Sequence, residues 1–239
     1  QIKRALQHMG EKQFKRNTDQ TQRDIIMAKI TSTMVRYGQL EQALKLAAPA
    51  AERSRKYTTQ ADWSAGLAAW QLGETVIARH HFEAVMRSHR SNDVQVASSA
   101  VWSARAALAS RQPQDVNRLL AVAATYPRNF YGQIALRQLR AQSPFSWTHP
   151  PLDNHAIERL KNDPAISRTV ALKQVGQVGW ASKEIRRLFP TVHAEDRVAV
   201  LSLAANIGIP SAELSLARAV LGREGQAYDT ALYPLPPWK

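Results

Sequence analysis

The sequence predicts an all-α protein, a right-handed α-superhelix (solenoid) of degenerate tetratricopeptide-like helix pairs. Three observations support this prediction. Ala, Leu, Arg and Gln, which favour helices, are abundant along the whole chain. Apolar residues recur at three- and four-residue spacing, as at Leu40, Ala43, Leu44 and Ala47, which indicates amphipathic helices. A Gly followed five residues later by an Ala recurs along the chain, whereas strand and hairpin signals are absent.

The recurring Gly and Ala predict helix-turn-helix pairs. We expect each Gly to end one helix in the left-handed conformation, and each small Ala to let the next helix pack closely. The three pairs are Gly38 with Ala43, Gly73 with Ala78, and Gly176 with Ala181. Trp-Ser-Ala also occurs twice, at 63–65 and again at 102–104. These spacings are close to the ~34–47 residues of helical-pair repeats, in which neighbouring pairs bury one another's apolar faces.

Helix-breaking residues divide the chain into about a dozen short helices of ordinary length. The predicted breakers are Gly38, Pro49, Gly73, Pro113, Pro127, Pro144, Pro150, Pro151, Pro164, Gly176, Gly179, Pro190, Gly208, Pro210 and Gly222. Asp62, Asp153 and Ser211 stand where side chains that cap helix N-termini are expected.

The prolines also predict the domain organisation. Residues 1–142 form the first part of the helical superhelix, and the proline-rich stretch 143–152 is an ordered linker. Residues 153–230 form the second helical part. Residues 231–239 cannot continue as a helix because three prolines follow one another closely, and they are predicted to be an extended connector.

The charge balance is strongly basic. Lys and Arg number 32 and Asp and Glu number 19, so the formal net charge is +13. Such a charge favours anionic partners such as nucleic acid, anionic lipid or an acidic cell-wall polymer, and a solvated basic surface is the alternative interpretation. No nucleic-acid-binding motif supports the first of these partners. Cys is absent, which excludes disulfides and thiol nucleophiles. No apolar run is long enough to predict a membrane span, and no signal peptide is recognisable in a chain that begins at Gln1 without Met.

Particular segments resemble the soluble lytic murein transglycosylases. Residues 101–108 (VWSARAAL) resemble that family's W-x-A-R-A helix, and residues 126–135 (YPRNFYGQIA) resemble its YP-x-x-FYG-x-x-A signature. Residues 62–73 resemble the preceding helix pair, and 201–204 with 214–217 resemble its last helices before the catalytic domain. The resemblance at the C-terminus is carried by the connector residues Tyr233, Pro234, Pro236, Pro237 and Trp238.

This resemblance implies a periplasmic enzyme that cleaves peptidoglycan between N-acetylmuramic acid and N-acetylglucosamine and leaves a 1,6-anhydro end. The family's catalytic Glu stands in a Glu-Ser motif, and no Glu of this chain precedes Ser. We therefore predict a non-catalytic helical scaffold with no catalytic residue, metal site or cofactor. Its partners would be peptidoglycan strands, bound weakly by charge, and its own catalytic domain. A tetratricopeptide-like adaptor that binds other proteins is the alternative function.

Several residues are candidates for more than packing. For Trp102, Phe130 and Tyr131 we favour packing between repeats over stacking on sugar rings, and for Arg105 a structural role over ligand binding. Phe130, Tyr131 and Gly132 are expected to form a tight junction between helices, with Gly132 allowing close backbone approach. The acidic residues are expected to be solvated or to cap helices. The group His80, His81 and His89 is expected at the surface rather than at a metal, because adjacent positions point to different helix faces.

Overall fold

The computed structural model describes residues 2–152 and 154–235, and their regular secondary structure is entirely helical, with no β-strand among them. The all-α prediction is confirmed. The chain forms two compact units, Gln1–Ser143 and Pro144–Lys239. Among the described residues, no helix is both long and apolar enough to cross a membrane.

The first unit is a succession of helices in which, from α3 to α9, each packs against the next, and α1 packs against α3. They are α1 (Ile2–Gly10), α2 (Lys12–Asn17), α3 (Gln20–Arg36), α4 (Leu40–Ser54), α5 (Gln60–Gln71), α6 (Thr75–Arg87), α7 (Asp93–Ala109), α8 (Val116–Ala124) and α9 (Phe130–Gln138). Helix α3 also contacts α5, and α7 also contacts α9. Both α3 and α7 thus contact the next helix and the one after it. Much of the core consists of Ala, whose small side chain allows close approach of helix axes.

Three-residue turns join α3 to α4 and α5 to α6, as the Gly-to-Ala pattern predicts. Gly38 and Gly73 lie in the left-handed region, with φ of 74° and 80°, where a Cβ is unfavourable. The residue after each Gly donates its N–H to a carbonyl five positions back, which closes the helix end in the Schellman arrangement. Ala43 and Ala78 are fully buried. Gly176 and Ala181 repeat the same geometry in the second unit.

Two arginines occupy the position that Gly holds in these turns. Arg111 and Arg140 have φ of 58° and 52°, and the residue after each makes the same hydrogen bond five positions back. These are the positive-φ non-Gly residues of the described chain. The sequence gives no sign of these turns because Arg rarely takes this conformation.

Three predicted breakers lie inside helices instead. Pro49 is within α4, where the buried face formed by Ala43, Ala47, Ala50 and Ala51 stabilises the helix enough to offset the lost N–H donor. Gly179 and Gly222 also lie within helices of the second unit, where a Cβ would meet nothing within 4 Å. Tertiary packing outweighs local helix propensity at Pro49.

The predicted N-caps also differ from those observed. Helix α5 begins at Gln60 after Thr59, so Asp62 lies in its first turn, where it is buried and paired. Ser211 is the second residue of a helix that begins at Pro210, and its hydroxyl lies 2.9 Å from that of Ser182. Asp153 lies outside the described residues. The side chains that do cap helices include Asp19 and Asn92, each in a reciprocal capping box with a Gln.

The second unit has its own core. Its helices are α10 (Asn154–Leu160), α11 (Pro164–Gln174), α12 (Val178–Leu188), α13 (Arg197–Asn206), α14 (Pro210–Glu224) and α15 (Asp229–Leu232). Their apolar side chains form one continuous buried cluster, which includes Ile185, Leu201 and Val220. The proline-rich stretch before α10 has no regular structure. Helix α15 extends to Leu232, so the predicted connector begins with two helical residues.

Candidate functional site

The first unit contains a charged groove between α4 and α6, with a volume of about 530 Å³. Four basic side chains line it, together with two histidines and two carboxylates. The members that we call the charged groove are Glu52, Arg53, Arg55, Lys56, His80, Glu83, Arg87 and His89. The short turn that ends α4 places Arg53, Arg55 and Lys56 at one end of that helix, facing α6.

Arg53 is held in place by an acid of a neighbouring helix. Its Nη2 lies 2.7 Å from Oδ1 of Asp24 on α3, and its Nε donates to Oδ2 at 3.3 Å. Ser54 donates its hydroxyl to the same Oδ2 at 2.6 Å. The Asp24 side chain is 2% exposed, whereas that of Arg53 is 50% exposed. The carboxylate therefore fixes the guanidinium from inside the fold and leaves its outer edge in solvent.

Arg55 is held in the same way by Asp62 of α5. Its Nε and Nη2 donate to the two Asp62 oxygens at 3.0 and 2.8 Å, a bidentate arrangement. Nδ1 of His81 lies 2.9 Å from Oδ1 of the same carboxylate, which is fully buried. At the groove surface, Glu52 bridges Arg55 and His80, with its Oε1 at 2.9 and 3.3 Å from them.

The ionisation of the buried acids follows from these contacts. Burial of Asp62 opposes its charged form, but hydrogen bonds from His81 and Arg55 outweigh burial and lower the pKa of its carboxyl group. The pKa of Asp24 is lowered for the same reason, with Arg53 and Ser54 as the donors that outweigh burial. Both acids are therefore anionic at neutral pH, and they hold their arginines permanently in one orientation.

This arrangement suits the binding of anions. Asp24 and Asp62 lie beneath the groove, whereas Glu52 and Glu83 line it and pair with Arg55 and Arg87. The guanidinium of Arg53 is half exposed above Asp24. Arg87 is 66% exposed and Lys56 is also exposed, so neither is withdrawn into the protein. Guanidinium groups that are already oriented lose little conformational entropy when they contact a carboxylate or another anion.

The expectations for the histidines and acids need correction. His81 is buried, not at the surface, because it belongs to the Asp62 pair. Asp24, Asp62 and Asp196 are buried and paired with arginines rather than solvated. A sequence signal for Asp24 exists, since it falls on the buried face of α3 with Ala28, at i and i+4. His80 and His89 are exposed as expected.

Trp102 and Arg105 form a stacked group on the first unit. The Trp102 ring packs near Phe82 and edge-on to Trp70, with centroid distances of 5.7 and 5.6 Å. The Arg105 guanidinium lies 4.3 Å from the Trp102 centroid and 5.0 Å from that of Trp70. Arg105 therefore makes cation–π contacts on an exposed face, instead of pairing with a buried acid.

The signature residues on α9 have different environments. Gly132 allows the close approach that was predicted, because a Cβ there would lie 1.9 Å from the carbonyl oxygen of Tyr126. Its N–H donates to the Asn129 side chain at 2.9 Å, which caps the helix. Tyr131 packs partly against the core of the first unit. Phe130 is 71% exposed and contacts the Tyr131 ring. The expectation that Phe130 forms part of a buried junction is therefore wrong.

The connector residues lie in the second unit where they are described. Tyr233 and Pro234 line a pocket with Trp147, and the Tyr233 ring contacts those of Phe145 and Trp147. The remaining connector residues, Pro236, Pro237 and Trp238, lie outside the described part of the chain.

Among residues 2–152 and 154–235, no group of three or more His, Cys, Asp or Glu side chains is arranged to hold a metal ion. No protein-family model matches this chain, and no curated protein matches its sequence.

Proposed function

We propose that this chain is the non-catalytic helical scaffold region of a soluble lytic murein transglycosylase, an enzyme that acts on peptidoglycan in the periplasm. In this proposal, its helix pairs form a tetratricopeptide-like right-handed superhelix. Cleavage between N-acetylmuramic acid and N-acetylglucosamine belongs to a catalytic domain outside these residues.

Two kinds of observation support the proposal. The order of the W-x-A-R-A and FYG-type segments along the chain resembles that family, and Gly132 of the second segment has the close backbone contact that only Gly tolerates. The helices on either side of each short turn pack in sequence, as a scaffold of helical pairs requires.

The charged groove is the observation that carries the proposed binding role. Its exposed guanidinium and ammonium groups face solvent, and buried Asp24 and Asp62 fix two of them. The stem peptides and lactyl carboxylates of peptidoglycan are anionic, so the groove provides electrostatic attraction along a strand. Such contacts between exposed charges are individually weak, which suits a scaffold that must move along its polymer.

Sedimentation with purified peptidoglycan sacculi tests this role. We expect the chain to sediment with sacculi at 0.1 M salt and to be released at 1 M, because the screening length shortens from ~10 Å to ~3 Å. Retention that does not change with salt would argue against the charged groove, and failure to sediment at low salt would contradict the proposed function.

A further inference from the structure

The second unit has a pocket of about 600 Å³ that the proposed function does not use. It lies among the proline-rich stretch before α10, the end of α13, the start of α14 and the residues that follow α15. Its lining combines the rings of Trp147 and Tyr233 with the polar side chains of His149, Asn206 and Glu213. The volume falls within the ~300–1,000 Å³ of typical small-molecule sites.

Two aromatic rings in this pocket are open to solvent. Trp147 is 60% exposed and Tyr233 is 44% exposed, with their centroids 6.3 Å apart. Phe145 contacts both, at 5.7 and 5.9 Å, and is itself partly buried. The three rings therefore support one another, while parts of Trp147 and Tyr233 remain exposed to solvent.

Backbone hydrogen bonds fix Trp147 from both sides. Ser146 donates its N–H to Oδ2 of the fully buried Asp229 at 2.8 Å, and its carbonyl accepts the Asp229 N–H at 3.1 Å. On the other side, the carbonyl of Thr148 accepts the Thr230 hydroxyl at 2.8 Å. The backbone on both sides of Trp147 is therefore fixed before any ligand arrives, which lowers the entropic cost of binding.

The polar groups of the pocket have unused hydrogen-bonding capacity. Glu213 has no hydrogen-bond or ion-pair partner among the described residues. Burial raises the pKa of its carboxyl group, against the opposing influence of His149. The Asn206 side chain donates from Nδ2 to the carbonyl of Ser202 at 2.9 Å, which fixes the orientation of the amide. Its Oδ1 can then accept a hydrogen bond from a ligand.

We propose that this pocket binds a saccharide, with the flat C–H face of one sugar ring on Trp147 and its hydroxyl or amide groups bonded to Glu213 and Asn206. A purely apolar ligand would leave the half-buried carboxyl group unsatisfied. A small anion would be repelled by that carboxylate and would not use the rings. A sugar has both an apolar face and hydrogen-bonding edges. The choice of an N-acetylhexosamine as the sugar unit rests on the proposed function.

Titration with a soluble N-acetylglucosamine oligomer, followed by ligand-observed NMR and calorimetry, tests the proposal on the full chain. Trp147→Ala is expected to weaken binding about tenfold or more, as for a central aromatic anchor. Glu213→Gln should also weaken it. Trp180→Ala is the matched control, because Trp180 is 61% exposed on α12 of the same unit, outside the pocket, and has Lys183 Nζ 4.5 Å from its ring centroid. Its variant should bind the oligomer normally.

The outcomes separate this site from the charged groove. Loss of oligomer binding in Trp147→Ala, with an unchanged thermal midpoint and unchanged binding by Trp180→Ala, supports the saccharide site. Equal loss in both Trp variants, absence of oligomer binding by the unaltered chain, or binding of a proline-rich peptide in place of the sugar overturns it. If the unaltered chain does not bind the oligomer, or binds a proline-rich peptide instead, but still sediments with sacculi at low salt, only the saccharide site is contradicted and the proposed function is not.

Discussion

Nδ1 of His81 on α6 lies 2.9 Å from the carboxylate of Asp62 on α5, and both side chains are almost completely removed from solvent. The same carboxylate receives the bidentate guanidinium of Arg55 from the end of α4. One acid thus joins three consecutive helices and at the same time sets the position of a basic group in the charged groove. The groove and the packing of the first unit consequently depend on the same ionised residue.

We expect Asp62→Asn to reduce the free energy of unfolding at pH 7 by roughly 1–3 kcal/mol, because a neutral amide replaces a buried, charge-assisted acceptor. Folding lowers the pKa of Asp62. At pH values near and below the unfolded pKa, the folded state therefore binds fewer protons than the unfolded state. The stabilisation is therefore fully present at neutral pH, begins to be lost as the pH falls below the unfolded pKa of about 3.9, and disappears only below the lowered pKa of the folded state.

Chemical denaturation at pH 7 and pH 3 measures this effect. The difference between the unaltered chain and Asp62→Asn should shrink at pH 3. Glu41→Gln, which changes an exposed carboxyl group of α4, should leave the stability and its pH dependence nearly unchanged. A difference of the same size at both pH values would show that the ionised form of Asp62 is not what stabilises the fold.

Arg111→Gly should stabilise the first unit by about 1 kcal/mol, because Arg111 has φ of 58° and a side chain is disfavoured there by ~1–2 kcal/mol. Arg90→Gly provides the comparison, since Arg90 lies in another exposed turn but not at positive φ. That change should give no gain, because Gly there only increases the freedom of the unfolded chain. Urea denaturation of the two variants decides, and equal effects would contradict the assigned turn.

Gly132→Ala should destabilise the protein by about 3 kcal/mol, because the added Cβ would collide with the backbone of Tyr126 and cannot be relieved by a side-chain rotation. Gly222→Ala is the control, since Gly222 is exposed within α14 and has no atom within 4 Å of an added Cβ. It should gain ~0.5–1 kcal/mol from helix propensity. Thermal unfolding monitors both, and a neutral Gly132→Ala variant would show that the junction is not tight.

The purified chain should release no 1,6-anhydro-muropeptides from sacculi. That reaction needs a positioned general acid that later acts as a base. Asp24 and Asp62 are held anionic by arginines, with lowered pKa values, and so are not suited to donate a proton at neutral pH. Glu213, whose pKa burial raises, is the carboxyl group to replace first if release is found. Chromatography of the soluble products is the assay. Release that disappears when one Glu of this chain is replaced would overturn the scaffold interpretation.

The turns show what local sequence can predict. Gly38 and Gly73 are readable because Gly tolerates positive φ and the Ala that follows marks a close helix contact. Arg111 and Arg140 complete the same turn without any such signal, since their conformation is imposed by the packed helices on either side. Pro49 is misleading for the converse reason, because buried Ala residues keep α4 intact around it.

The charged groove could be predicted only in part. A basic surface follows from the composition, and the exposed positions of His80 and His89 follow from the sequence. The pairs that organise it join residues on different helices, such as Arg53 with Asp24, 29 positions apart. Periodicity can place Asp24 on a buried face, but it cannot name the arginine that compensates its charge. That choice depends on how α3 and α4 pack.

The most direct test of peptidoglycan binding by the charged groove compares two double variants for sedimentation with sacculi at 0.1 M salt. Lys56→Gln with Arg87→Gln removes two exposed charges from the groove, whereas Lys12→Gln with Lys15→Gln removes two exposed charges from α2. Both carry the same net charge. We expect about fivefold weaker binding for the groove variant, corresponding to about 1 kcal/mol for two exposed contacts, and little change for the other. Equal weakening of both would mean that net charge alone attracts the polymer, and would contradict a dedicated groove.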